Sequence, residues 1–163
     1  MRSKTLAALC LLVLLAFPLL SGSASAETAT PYSGTEVIRT DAAFKPFVDA
    51  FRDAVKANGF NMVGLACANC ATKNKFGEIV PGNRVFLFFK PDYARRMLAA
   101  STAAGIEAPI RVYVTEEPDG TAKVTYRLPS HVFGAYDVPD LTAMGLELDA
   151  HVAKMIADAR SAL

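Results

Sequence analysis

The 163-residue chain is poor in the side chains that most often carry site chemistry, with three cysteines and two histidines. So few cysteines exclude a disulfide framework, and a chain of this size can bury a sufficient core without one. Charge of one sign is also missing. The 17 basic and 16 acidic residues leave a net charge of +1, which marks neither a nucleic-acid nor an anionic-membrane partner. Internal repeats and low-complexity segments are absent. So are a Ser-His-Asp arrangement, a phosphate loop and a basic stripe.

The N-terminus does carry a signal. Arg2 and Lys4 precede an apolar run from Leu6 to Leu20, and Ser21–Ala26 supplies small residues ending in an A-x-A site at Ala24-Ser25-Ala26. This is the pattern of a secretory signal peptide cut after Ala26. The run holds Pro18 and is shorter than the roughly 20 residues a spanning helix needs. Residues 1–26 are therefore expected to be a signal peptide, and no membrane span is expected after cleavage. The product would be periplasmic or secreted. Cleavage also removes two basic residues and no acidic one, taking the net charge from +1 to −1. Residues 27–34 read as a flexible leader and 35–163 as a single domain.

Hydrophobic patterning predicts the elements of that domain. Thr35–Arg39 reads as a short edge strand and Asp41–Asn58 as a helix, most regular from Pro46, with Phe47, Phe51, Ala54 and Val55 on one stripe. Phe60–Leu65 reads as a strand. Ala68–Phe76 has room for at most two helical turns before Gly77. Arg84–Lys90 is an unbroken apolar run, which predicts a strand buried on both faces at the sheet centre. Pro91-Asp92 starts a helix expected to reach Ala103, with Gly105 as its cap. In Ala108–Thr115, Ile110, Val112 and Val114 alternate with Arg111, Tyr113 and Thr115. The turn Glu117-Pro-Asp-Gly120 then leads into a second hairpin arm, Thr121–Arg127. Leu128–Asp137 reads as an irregular loop. From Pro139 a last helix places Leu141, Met144, Leu148, Val152, Met155 and Ala159 on one face. The predicted class is α+β, in the order β-α-β-(short α)-β-α-β-β-α, with an antiparallel or mixed sheet and helices packed on it.

Several of these residues form an ordered series: Gly59-Phe60, Val85–Phe89 followed by Pro91, Ala108–Val114, Asp119-Gly120, and Val124-Thr-Tyr126 running into Pro129-Ser130. Over about residues 36–136 this series resembles the bacterial domain of unknown function DUF302. The resemblance implies a compact α+β domain, often dimeric, with no settled activity and no catalytic residues to carry over. Family members often have a polar residue, frequently histidine, near the position of Cys67. The C-x-x-C motif departs from that pattern.

Cys67 and Cys70 are the residues with the most distinctive chemistry. In an oxidising compartment their sulfurs are expected to form a disulfide. Such a bond closes a minimal loop and contributes little stability. At the start of a helix, amide dipoles also favour a thiolate. A thioredoxin-like redox site is therefore open, with Cys67, Cys70 and Pro109 as its candidate residues. The short following helix and Ala66 in place of the usual aromatic weigh against it. A soft metal such as Cu(I) is a further possibility, with Met62 the nearest additional soft ligand. Ala71 excludes c-type haem attachment, and zinc would need two more ligands than the neighbourhood supplies.

His131, Tyr136 and Tyr126 are candidate ligand-binding residues, although a lone loop histidine is often only solvated. Glu147 and His151 lie i, i+4 on the last helix and could chelate a metal, but a polar helix face is the simpler account. No cofactor is expected. The leading expectation is a small binding or interaction module, with a homodimer possible and a small ligand or protein as its partner. A thiol-disulfide oxidoreductase is the alternative.

Overall fold

The computed structural model describes residues 33–163. The expected signal peptide, its expected cleavage site and most of the expected leader lie outside the described residues. The alternating segment around Val112 and Val114 forms β4 (Ile110–Glu116), and the turn at Glu117–Gly120 returns it as β5 (Thr121–Arg127). Gly120 occupies the left-handed region at φ +82°, and the Thr121 amide donates to Asp119 Oδ1 at 2.9 Å. The remaining strands are β1 (Thr35–Ala43), β2 (Asn61–Ala66) and β3 (Asn83–Phe89). Among the described residues these form one sheet in the order β1-β5-β4-β3-β2, with every neighbouring pair antiparallel. The antiparallel alternative is thus the one the chain adopts.

The helices are α1 (Phe44–Ala57), α2 (Ala68–Phe76), α3 (Pro91–Ala100), α4 (Pro129–Gly134) and α5 (Pro139–Ser161). α1 and α5 supply most of the helical core. Phe47, Phe51 and Val55 meet Phe86, Phe88, Val112, Val114 and Val124 from one sheet face. Phe51 and Phe86 pack edge to face, with centroids 5.0 Å apart. All six residues expected on the last helix's inner face are buried.

Four local expectations need correction. The first helix starts at Phe44 rather than Asp41, because Asp41–Ala43 extends β1 and Ala43 pairs with Thr121. The third strand lies beside the edge strand β2 rather than at the sheet centre, which β4 occupies. In β3 only Phe86 and Phe88 are buried, and Val85, Leu87 and Phe89 alternate onto the face away from the helices. The helix after Pro91 stops at Ala100. Ser101 is extended, and a 3-10 helix then spans Thr102–Glu107. Finally, the expected irregular loop contains α4, whose start is held by α5: the Ser130 amide donates to Asp149 Oδ1 at 3.0 Å. The local pattern of a six-residue helix is too short to read without the neighbour that caps it.

Candidate functional site

The candidate residues fall at two opposite ends of the sheet. At the first, β4 begins, β5 ends and β1 begins, with Thr35 opposite Arg127 and Val112 opposite Tyr126. The 3-10 helix leads into this end and α4 leads out of it. Between them lies a cleft of about 800 Å³, lined by side chains that include Glu107, Arg111, Tyr113, Tyr126, His131 and Tyr136. Arg127 and Pro109 also line it. His131 and Tyr136, five residues apart, and Tyr126, a strand residue, thus meet around one space.

Local packing fixes this arrangement. Gly145 on α5 lets α4 approach closely, since a Cβ there would sit 2.8 Å from Ser130 Cα and 2.9 Å from the Pro129 carbonyl oxygen. Gly34, at φ +74°, passes beside the His131 ring where no side chain has room, and its carbonyl accepts from the Leu128 amide at 2.8 Å. The Tyr136 hydroxyl donates to Glu107 Oε1 at 3.1 Å. Burial and that carboxylate raise the Tyr136 phenol above its usual range. Burial pushes Tyr126 up to about 12, with the negative charges of Glu36 and Asp149 adding to it. Both phenols are therefore neutral donors at physiological pH.

The cleft also gathers charge that the sequence reading missed. Arg111 and Arg127 lie one residue beyond the paired Val112 and Tyr126, on neighbouring strands. Like charges placed side by side across strands are unfavourable in themselves. The signal was available in principle, as Arg111 falls on the outward set of the alternation, but only the register sets it next to Arg127.

The second end carries the cysteines. β2 runs into Cys67, which caps α2 by accepting the Cys70 amide hydrogen at 3.2 Å. The two residues form a disulfide with Cα atoms 5.3 Å apart. Asn83 braces the start of the helix, its Oδ1 accepting from the Ala68 and Asn69 amides at 3.0 and 3.3 Å. α2 buries none of its side chains. Gly77 ends it in the left-handed conformation at φ +72°.

Pro109 does not join this end. The Ala108-Pro109 bond is cis, but Pro109 precedes β4 whereas Cys67 follows the Ala66–Val85–Tyr113 level of the sheet. At about 3.4 Å per residue, the two are separated by roughly 17 Å along the strands. A thioredoxin-like constellation of Cys67, Cys70 and Pro109 is therefore not assembled. Met62 likewise packs against the core. Among the described residues, no three His, Cys, Asp or Glu side chains gather as a metal site.

Glu147 and His151 are occupied elsewhere. Arg96 donates to both Glu147 oxygens at 2.6 and 2.9 Å, and the Tyr93 hydroxyl lies 3.0 Å from His151 Nε2. Burial, then nearby Lys90, lowers the His151 pKa. This cluster joins α3 to α5. No helix among the described residues is long and apolar enough to cross a membrane.

No curated protein matches the chain. In fold it is similar to a crystal structure of an uncharacterized conserved DUF302 protein from Bacillus stearothermophilus. The two share 16% identity and a TM-score of 0.71, over 79% of this chain and 100% of that one. Residues 36–159 match the family described as Domain of unknown function DUF302, a span that runs past Tyr136 and through most of α5. An antiparallel α+β domain with this ordered set of residues, matched over most of its length, places the chain in the DUF302 family.

Proposed function

We propose that this DUF302 protein is an exported small-molecule-binding module rather than an enzyme, and that the cleft between the 3-10 helix and α4 is its binding site. In this reading residues 1–26 are a cleaved signal peptide and the mature chain works in the periplasm or outside the cell, as a homodimer. The observation that carries the reading is the convergence of Tyr126, His131, Tyr136 and Arg111 on one cleft of about 800 Å³. That volume suits a small organic ligand, and a few convergent polar groups on an otherwise apolar wall are the usual make-up of such sites.

The ligand class follows from the lining. Two arginines face a cleft whose Glu107 carboxylate already accepts a hydrogen bond from Tyr136. A carboxylate or phosphate ester would suit Arg111, whose guanidinium offers paired donors. The phenols of Tyr113 and Tyr136 would add apolar area and hydroxyl donors.

Isothermal titration of residues 27–163 with benzoate, citrate and glycerol phosphate tests this reading. Binding by at least one anion, weakened about tenfold or more in Arg111→Ala, is the expected result. Failure of all three, or equal affinity in the variant, overturns it. Sedimentation of the same sample tests the homodimer.

A further inference from the structure

We propose that the Cys67–Cys70 disulfide is an exchangeable redox couple, reduced by an external dithiol that attacks Cys70 and expels Cys67. This site lies at the opposite end of the sheet from the ligand cleft and stands independently of it.

Exposure distinguishes the two cysteines. Cys70 is exposed and Cys67 only half-exposed, so an incoming thiolate meets Cys70 first. The approach is also electrostatically open. Lys73 and Lys75 follow on α2, and residues 54–77 contain no carboxylate. Thiolate attack on a disulfide is favoured where positive charge gathers and where the leaving sulfur is stabilised.

Cys67 is built to leave. Its Sγ already accepts the Cys70 amide hydrogen at 3.2 Å, and this donor can hold the negative charge that arrives when the bond breaks. A second partner stands beside it, an oxygen that also accepts from the Asn83 amide at 3.3 Å. Asn69 Oδ1 lies 3.0 Å from Cys67 Sγ, yet a disulfide sulfur carries no proton to share with it. The contact becomes a hydrogen bond only after reduction, when Cys67 is a thiol. Arg84 holds that oxygen in place, donating to it at 2.7 Å.

The loop does not depend on the S–S bond for its shape. The Asn83 side chain caps the Ala68 and Asn69 amides whether or not the sulfurs are joined. The reduced form therefore keeps the start of α2, and reclosure needs no reordering of the chain.

The exchange balances as follows. A thiolate of the dithiol bonds to Cys70 Sγ, the Cys67–Cys70 bond breaks, and its electron pair goes to Cys67 Sγ, which takes up a proton from water. The second thiolate of the dithiol then attacks its own sulfur in the mixed disulfide. Cys70 is released and protonated, and the dithiol leaves as a disulfide. Two electrons and two protons pass to the protein.

Dithiothreitol and glutathione disulfide serve as probes. Native protein should be reduced by dithiothreitol without denaturant. With glutathione disulfide, Cys67→Ser, which keeps Cys70, should form the mixed disulfide at least tenfold faster than Cys70→Ser. Mass mapping of the reduced wild type alkylated with substoichiometric iodoacetamide, which Cys67 cannot displace, should find the adduct first on Cys70, which keeps the test valid if either variant misfolds. Asn69→Ala should shift the dithiol–disulfide equilibrium roughly fivefold toward the disulfide, because it removes a hydrogen bond made only by the thiol. A bond that resists dithiothreitol until the protein unfolds overturns the proposal. So does an adduct on Cys67, or a Cys70→Ser variant that reacts as fast as Cys67→Ser.

Discussion

The two ends of the sheet are built differently. The cleft end is assembled from segments far apart in the chain: β1, the 3-10 helix, β4, β5 and α4, with α5 behind them. The disulfide end is one continuous stretch, β2 into α2, whose outside support is chiefly Asn83 and Arg84. One end depends on tertiary packing, and the other carries its chemistry in four consecutive residues. Mutations should therefore be felt globally at the cleft and locally at the disulfide.

The largest effect expected from this contrast is at Gly145. A side chain there must displace the α4 backbone at Pro129 and Ser130, so Gly145→Val should cost about 3 kcal/mol in urea unfolding and abolish ligand binding. Retention of both would break the claim that α5 positions the cleft.

Alkaline titration comes next. Tyr126 has a folded pKa of about 12 against an ordinary 10.0. Because the folded value is raised, its contribution is complete below pH 10 and is lost as the pH rises through 12. Stability should fall by roughly 2 kcal/mol over that window. Tyr126→Phe should flatten the fall, and an unchanged profile would refute the assignment.

At the other end, replacing both cysteines with serine should cost less than about 2 kcal/mol, since the loop closed is so short. A larger loss would mean that the disulfide holds more than α2. A reduction potential near or above about −200 mV would sharpen the contrast, and one below roughly −300 mV would make the bond a structural clip. The smallest effect is expected at Phe76, which is 62% exposed on α2. Phe76→Ala should change stability by no more than about 0.5 kcal/mol, and a larger cost would show that α2 is anchored more firmly than its exposure indicates.

Much of the fold was legible because its signals are local and periodic. The alternation around Val112 predicts β4, Pro118–Gly120 predicts the hairpin turn, and the stripe from Leu141 to Ala159 predicts the buried face of α5. The unbroken run Val85–Phe89 misled, because apolar residues on the face away from the helices look the same in sequence as core residues. α4 was missed because six residues around Pro129 have no helical pattern of their own, and Asp149 supplies the cap from another element. Of the site, His131, Tyr136 and Tyr126 were identifiable by residue type, whereas Arg111 looked like an ordinary outward strand residue.

The sequence by itself determined the α+β class, the hairpin turn at Glu117–Gly120 and the nearness of Cys67 to Cys70, because each rests on local patterns of side chains, and the family, because its ordered series is read along the chain. The tertiary structure decided the strand order, put Pro109 at the far end of the sheet from the cysteines, and set Arg111 beside Arg127. Those outcomes depend on which strands pair and in what register, and the pairing is fixed by burying one sheet face under α1 and α5, a property of the whole chain.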